Sequence, residues 1–138
     1  MRSNNREQQK IYFSMVTEKL NGIDTIKTFS KPEIRYMTVS STSGTPEEIA
    51  AGLVPNYDRY LTRWKNRWDS FEPQEGMLLW VDVEPELNED GSLKVGEETL
   101  EPTVLPDYRL KKYIGTAKGL IRRYGIEKIG ANYEENQD

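Results

Sequence analysis

Three carboxylates pose the first chemical question. Asp82, Glu84 and Glu86 lie two residues apart in "LLWVDVEPELNEDG", residues 78–91. On an extended chain all three point the same way. Such a row can hold a divalent cation, and a metal-dependent nuclease needs carboxylates converging on one or two ions beside a base or a lysine. Pro85 disturbs the alternation before Glu86, and no second acidic motif of comparable order follows. Without a cation the charges repel. The residues therefore favour cross-strand pairing with Arg109, Lys111 or Lys112. No metal ligand is assigned, and a nuclease using Asp82 and Glu84 stands as an alternative.

A second group is "YDRYLTRWKNRW", residues 57–68, where aromatics alternate with Arg59, Arg63, Lys65 and Arg67. Such a mix can stack bases and hold phosphates, with Tyr60, Arg63, Trp64 and Arg67 as the binding set. Tyr, Trp and Arg are equally the residues favoured in protein interfaces. Tyr60 and Trp64 fit both strand and helix spacing, so periodicity does not choose between them. The chain is net acidic at −4, which favours the protein interface. Nucleophilic catalysis has little to work with. There is no His and no Cys, hence no triad, thiolate or disulfide. The G-x-S-x-G elbow, the Walker loop and G-x-G-x-x-G are all absent. The Ser- and Gly-rich "SSTSGT", residues 40–45, lacks a lysine at phosphate-loop spacing and reads as a loop. No catalytic residue and no cofactor are assigned.

The elements that must position these groups read as follows. At 138 residues the chain fits one domain, residues 1–138, with a polar arm over 1–10 and a polar tail over 130–138. Hydrophobic residues make up 36% and charged residues 30%, too apolar and aromatic for a disordered chain. The start lacks the apolar stretch of a signal peptide, and no run approaches the roughly 18–20 apolar residues that span a bilayer. "IYFSMV" is the first apolar anchor, helix or strand. "NGIDTIKTFSKPE" reads as a turn and a connecting segment. "EIRYMTVSST" alternates as a strand, with Ile34, Tyr36, Thr38 and Ser40 on one face and Arg35, Met37 and Val39 on the other. "TPEEIAAGL" predicts a short helix capped by Thr45, with Pro46 in its first turn. "YDRYLTRW" resumes extended structure. Met77–Val83 is the most hydrophobic strand and belongs in the centre of a sheet. Residues 86–107 form a long acidic loop, and loops of that length are usually functional or mobile. "DYRLKKYI" and "GLIRRYGIEKI" flank a glycine-bearing connection and predict a hairpin. The sum is a mainly β fold, a small antiparallel barrel or sandwich with long loops and one short helix. Charge is segregated: nearly every charge from Glu72 to Asp107 is negative, and nearly every charge from Arg109 to Lys128 is positive. Complementary faces between copies are the sharper reading of that pattern.

The order of segments resembles the small head-closure, or stopper, proteins of tailed phages with long non-contractile tails, chiefly those of Gram-positive hosts. The matching features are the Met-Arg-x-Asn-x-Arg opening, the "SKPE" strand, and the Gly-initiated apolar strand entering "WVDVEP". "PDYRLKK" leading to a final hairpin completes the set. Together they span most of the chain. The resemblance implies a small β-barrel with long loops, in a ring of about twelve copies. The ring would sit in the virion neck between portal or adaptor and tail terminator, retaining packaged DNA without sequence specificity. Adaptor or terminator rings of the same neck are a near variant. No membrane is involved and no enzyme activity is expected. The loop over Ser41–Pro55 would project into the channel, through Ser43, Gly44, Thr45, Glu47 and Glu48. Subunit contacts are expected at Arg2, Asn5 and Arg6 of the arm and at Tyr57, Arg59, Arg63, Trp64, Arg67 and Trp68. Asp82, Glu84, Arg109, Lys111 and Lys112 complete the expected contacts.

Overall fold

Six antiparallel strands close on one another in the computed structural model, which describes residues 8–41, 43–52, 56–64, 68–115 and 121–129. The strands are β1 (Gln8–Ser14), β4 (Glu33–Val39), β5 (Arg59–Trp64), β6 (Leu78–Trp80), β7 (Tyr108–Gly115) and β8 (Ile121–Lys128). Their order around the barrel is β1-β4-β5-β8-β7-β6. A separate two-stranded hairpin, β2 (Val16–Asn21) and β3 (Asp24–Phe29), leaves the barrel between β1 and β4. One helix, α1 (Pro46–Ala50), precedes β5. The mainly β fold with one short helix is as the sequence predicts, and of barrel and sandwich it is the barrel.

Strand alternation builds the core. Ile11 and Phe13 of β1, Met37 of β4, Leu61 of β5, Leu79 of β6, Leu110 of β7 and Tyr124 and Ile126 of β8 meet in one buried cluster inside the barrel. Tyr12 and Trp80 point the other way, yet both are buried, in a second cluster with Leu93. The loop over 86–107 creates that cluster. It folds back across the outside of β1 and β6, adding Leu87, Leu93 and Val104, and is braced within itself by the bridges Leu87–Leu93 and Val95–Pro102. An acidic loop expected to be functional or mobile is here a packed lid on the barrel wall.

Three expectations about elements are corrected. The segment after Val16 is a regular hairpin with Asn21 opposite Asp24. Gly22, at φ +71°, takes the first turn position as a type II′ turn requires. Its strands carry polar residues on both faces, so no alternation announced them. The hydrophobic strand over 77–83 is only Leu78–Trp80, flanked by β1 and β7. Beyond Trp80, the amides of Val81 and Asp82 both donate to the Asp107 carboxylate at 2.9 Å, which takes them out of the ladder. The arm is also shorter than expected, because Gln8–Lys10 already pair with β4. The rest of the arm and the tail from residue 130 lie outside the described residues.

Candidate functional site

The bend after Trp80 decides the fate of the acidic row. The chain is no longer extended there, and its three carboxylates find three different partners. Asp82 accepts from Arg59 Nη1 at 3.0 Å and from Gln9 Nε2 at 3.3 Å. Glu84 accepts from the Tyr12 hydroxyl at 3.2 Å, and Glu86 from the Thr103 hydroxyl at 2.6 Å. Among the described residues, no three acidic side chains converge as a cation site requires. The expected pairing with Arg109, Lys111 and Lys112 does not form, because the register places Leu78 opposite Arg109. Arg109 and Lys111 turn instead to Glu127 of β8, at 2.8 Å and 3.5 Å. Burial alone would raise the Glu127 pKa, but hydrogen bonding and charge from Arg109, helped by Lys111, hold it below the ordinary glutamate value. A bulge between Leu110 and Lys112 puts both lysines on the outer wall. There the Lys112 ammonium lies 5.6 Å from the centre of the Tyr57 ring.

The basic aromatic run is divided by the strand it forms. On β5, Arg59, Leu61 and Arg63 face inward while Tyr60, Thr62 and Trp64 face out. Arg63 is buried at 7% exposure. Its guanidinium sits 3.8 Å from Asp69 and donates to the Phe71 carbonyl at 3.3 Å. Arg59 closes the other end of the barrel, bonded to the Ser40 carbonyl at 2.7 Å and to Asp82. The proposed base-stacking set of Tyr60, Arg63 and Trp64 is therefore split between two faces, and Arg67 lies outside the described residues. Arg63 belongs to an internal network with Arg35 and Arg122. Arg35 grips Asp69 with two bonds of 2.6 and 2.8 Å; Arg122 pairs with Glu72 at 3.2 Å. The Arg35 hydrogen bonds pull the Asp69 pKa down to about 2. Burial first, then Glu72, pushes the Tyr124 phenol up to about 12.

The loop over Ser41–Pro55 is anchored at its centre. Gly44 and Thr45 are buried. Thr45 caps α1 as predicted: the Glu48 amide donates to Thr45 Oγ1 at 3.2 Å, and the Thr45 amide to Glu48 Oε1 at 3.0 Å, a capping box worth about 1 kcal/mol. The Tyr57 hydroxyl donates to the same Glu48 carboxylate. Tyr57 in turn packs against Gly125 of β8, where any Cβ would come within 2.8 Å of the ring. Burial, then Glu48, raises the Tyr57 phenol to about 12. Tyr57 and Glu48 thus clamp α1 to the barrel wall. Of the expected channel residues, Gly44, Thr45 and Glu48 serve that clamp, Ser43 is exposed, and the Glu47 side chain lies outside the described set. Arg2, Asn5 and Arg6 do as well.

Several large apolar side chains are left exposed on the surface. Tyr36 of β4 and Trp64 of β5 lie two residues along the register from the Thr38–Thr62 pair and line one shallow pocket with Arg35 and Asp69. They are 60% and 65% exposed, and Ile34 beside them on β4 and Trp68 are exposed as well. The tip of the hairpin carries Leu20 of β2 and Ile23 of the turn, 81% and 98% exposed. Trp64 and Trp68 were singled out from sequence. The signal for Ile34 and Tyr36 was their shared face on β4, opposite the Met37 side. Leu20 and Ile23 gave none beyond being apolar next to a turn. No described helix is long and apolar enough to cross a membrane. The chain matches no protein-family model, curated protein or solved structure. Function is therefore argued from the arrangement of these groups and from the order of sequence segments.

Proposed function

We propose that this chain is a structural subunit of a tailed-phage neck, a head-closure ring protein between the portal or adaptor and the tail. Its partners are then further copies of itself, the connector above, a tail terminator below, and packaged DNA in the lumen. One observation carries the reading: Arg35, Arg59, Arg63, Arg109 and Arg122 of the barrel strands pair with carboxylates of their own subunit, while aromatic and aliphatic side chains stand exposed on the wall and at the hairpin tip. Clustered exposed apolar groups mark surfaces that meet another macromolecule. Support also comes from the architecture, since a small β-barrel with a long loop is what the resemblance in sequence implies. The divergence of Asp82, Glu84 and Glu86 and the burial of Arg63 take away the geometry that a nuclease or a base-stacking module would have used at those positions.

Electron microscopy of particles from a phage lacking this gene tests the proposal. Finished tails separate from tailless capsids that have lost their DNA are the expected result. Filled, tailed particles would reject a neck role. A ring located directly on the portal, or at the tail end, in wild-type particles would reassign the chain to adaptor or terminator.

A further inference from the structure

The base of the hairpin and the Tyr36–Trp64 pair lie on opposite walls of the same barrel. The base of the hairpin packs over β6 and β7, where Val16 and Phe29 share a cleft of about 190 Å³ with Leu78, Leu105 and Arg109. Further along, Ile26 and Phe29 line a groove with Leu93 and Val95 of the long loop. Past Ile26 only the last two pairs of the ladder and the turn remain, and this tip presents Leu20 and Ile23 to solvent. Ile34, Tyr36 and Trp64 are on β4 and β5. In the order β1-β4-β5-β8-β7-β6, the β4–β5 pair stands across the barrel from the β7–β6 pair. The base of the hairpin is held firmly: the Ser30 amide donates to the Met15 carbonyl at 2.9 Å, the Met15 amide to Ser30 Oγ at 2.9 Å, and Ser14 Oγ to the Ser30 carbonyl at 2.8 Å. The base of the hairpin thus holds it on the β6–β7 side of its own subunit, away from Tyr36 and Trp64.

We propose that Leu20 and Ile23 of one copy seat on the Ile34–Tyr36–Trp64 face of the next. A projecting apolar knob and an apolar face on opposite sides of one subunit make a heterologous contact, which repeats in one direction and closes into a ring where the rotation permits. The partner is thus a second copy of this chain. Two aliphatic side chains against two rings and an isoleucine bury on the order of a few hundred Å² a side, below the roughly 800 Å² per partner of a stable pair. A single contact is therefore weak and gains strength from closure of the ring. This detail rests on the ring reading above for its closure, and on the exposed side chains for its position.

Oxidation of an Ile23→Cys chain mixed with a Trp64→Cys chain tests the contact, because the wild type has no cysteine to compete. The disulfide-linked heterodimer, identified by peptide mass, should exceed that from Ile23→Cys with Ser41→Cys by at least about tenfold. Adding Tyr36→Asp to the Trp64→Cys chain should return the yield to that control. Equal trapping at Ser41 overturns the contact. So does pelleting of the wild type with phosphatidylcholine–phosphatidylglycerol vesicles that Leu20→Asp with Ile23→Asp abolishes, which would give the tip to a lipid surface. Rings visible by electron microscopy without the Ile23–Trp64 link would keep the ring reading and remove this contact. The link formed by a chain absent from particles would do the reverse.

Discussion

Removing Trp80 should detach the long loop while leaving the barrel closed. Its side chain is fully buried, yet it lies outside the barrel, packed with Tyr12 and Leu93 beneath residues 86–107. A Trp of this kind takes roughly 200–250 Å² out of water. At about 25 cal/mol per Å² that is about 5–6 kcal/mol, lowered to about 4 by the compactness of real unfolded chains. Its indole N–H also donates to the Val104 carbonyl at 2.7 Å, a bond worth about 1 kcal/mol. Alanine retains a little of the area, so Trp80→Ala should cost about 4 kcal/mol, within the range for large-to-small core changes. Trp80→Phe keeps most of the ring and strips the Val104 carbonyl of its donor, at about 2 kcal/mol. Urea unfolding gives the totals, and amide exchange gives their location. In Trp80→Ala the amides of Asn88, Lys94 and Thr103, which bond within the loop, should lose protection well before those of Leu61 and Ile126. A cost below about 1 kcal/mol, or simultaneous loss of protection in loop and barrel, would refute the assignment of Trp80 to the lid.

Further outcomes follow from the same contacts. Gly125→Ala should destabilise by about 1–3 kcal/mol through the clash with the Tyr57 ring. Adding Tyr57→Ala should recover part of that loss in a double-mutant cycle, whereas simple additivity would argue that the ring does not sit there. Asp69 titrates at about 2 when folded, against an ordinary 3.8. A depressed folded pKa gives stability that is complete above about pH 4 and lost as pH falls towards 2. Asp69→Asn should flatten the fall of the urea midpoint across that window, and a slope equal to wild type would rule out the Arg35–Asp69 pair as its source. Asp107→Ala should cost about 2 kcal/mol by leaving the Val81 and Asp82 amides without acceptors; a thermal midpoint unchanged from wild type would show that water replaces the carboxylate without loss.

The sequence made legible what local rules control. Period-two alternation located β4 and the β7–β8 hairpin, "YDRYLTRW" read as extended where β5 lies although its spacing fitted a helix as well, and Thr45 with Pro46 announced the start of α1. Long-range choices escaped it. Nothing within Leu78–Glu84 says that Asp107 will take the amides after Trp80, so the strand looked longer than it is. Arg63 shares a face with Leu61, which was a clue, but an arginine reads as surface until its partner Asp69 is known. The pairing of Asp82 with Arg59 and of Arg109 with Glu127 depends on register around the whole barrel, which no local pattern encodes. The β2–β3 hairpin was missed for a different reason: with little buried on either face, it has no periodicity to detect.

Closure of the barrel has a kinetic consequence. The contacts that seal it join β1 to β6 and β5 to β8, strands separated by nearly half of the chain's length in the first pair and by somewhat less in the second. Such non-local pairing carries its loop-closure entropy before any ladder rewards it, which places folding among the slower small domains, at milliseconds to seconds. Until β8 is available, both β5 and β7 present an unpaired edge. A nascent chain stalled before Ile121 would therefore expose two edges capable of pairing with other strands, and its fate would depend on whether translation or aggregation is faster.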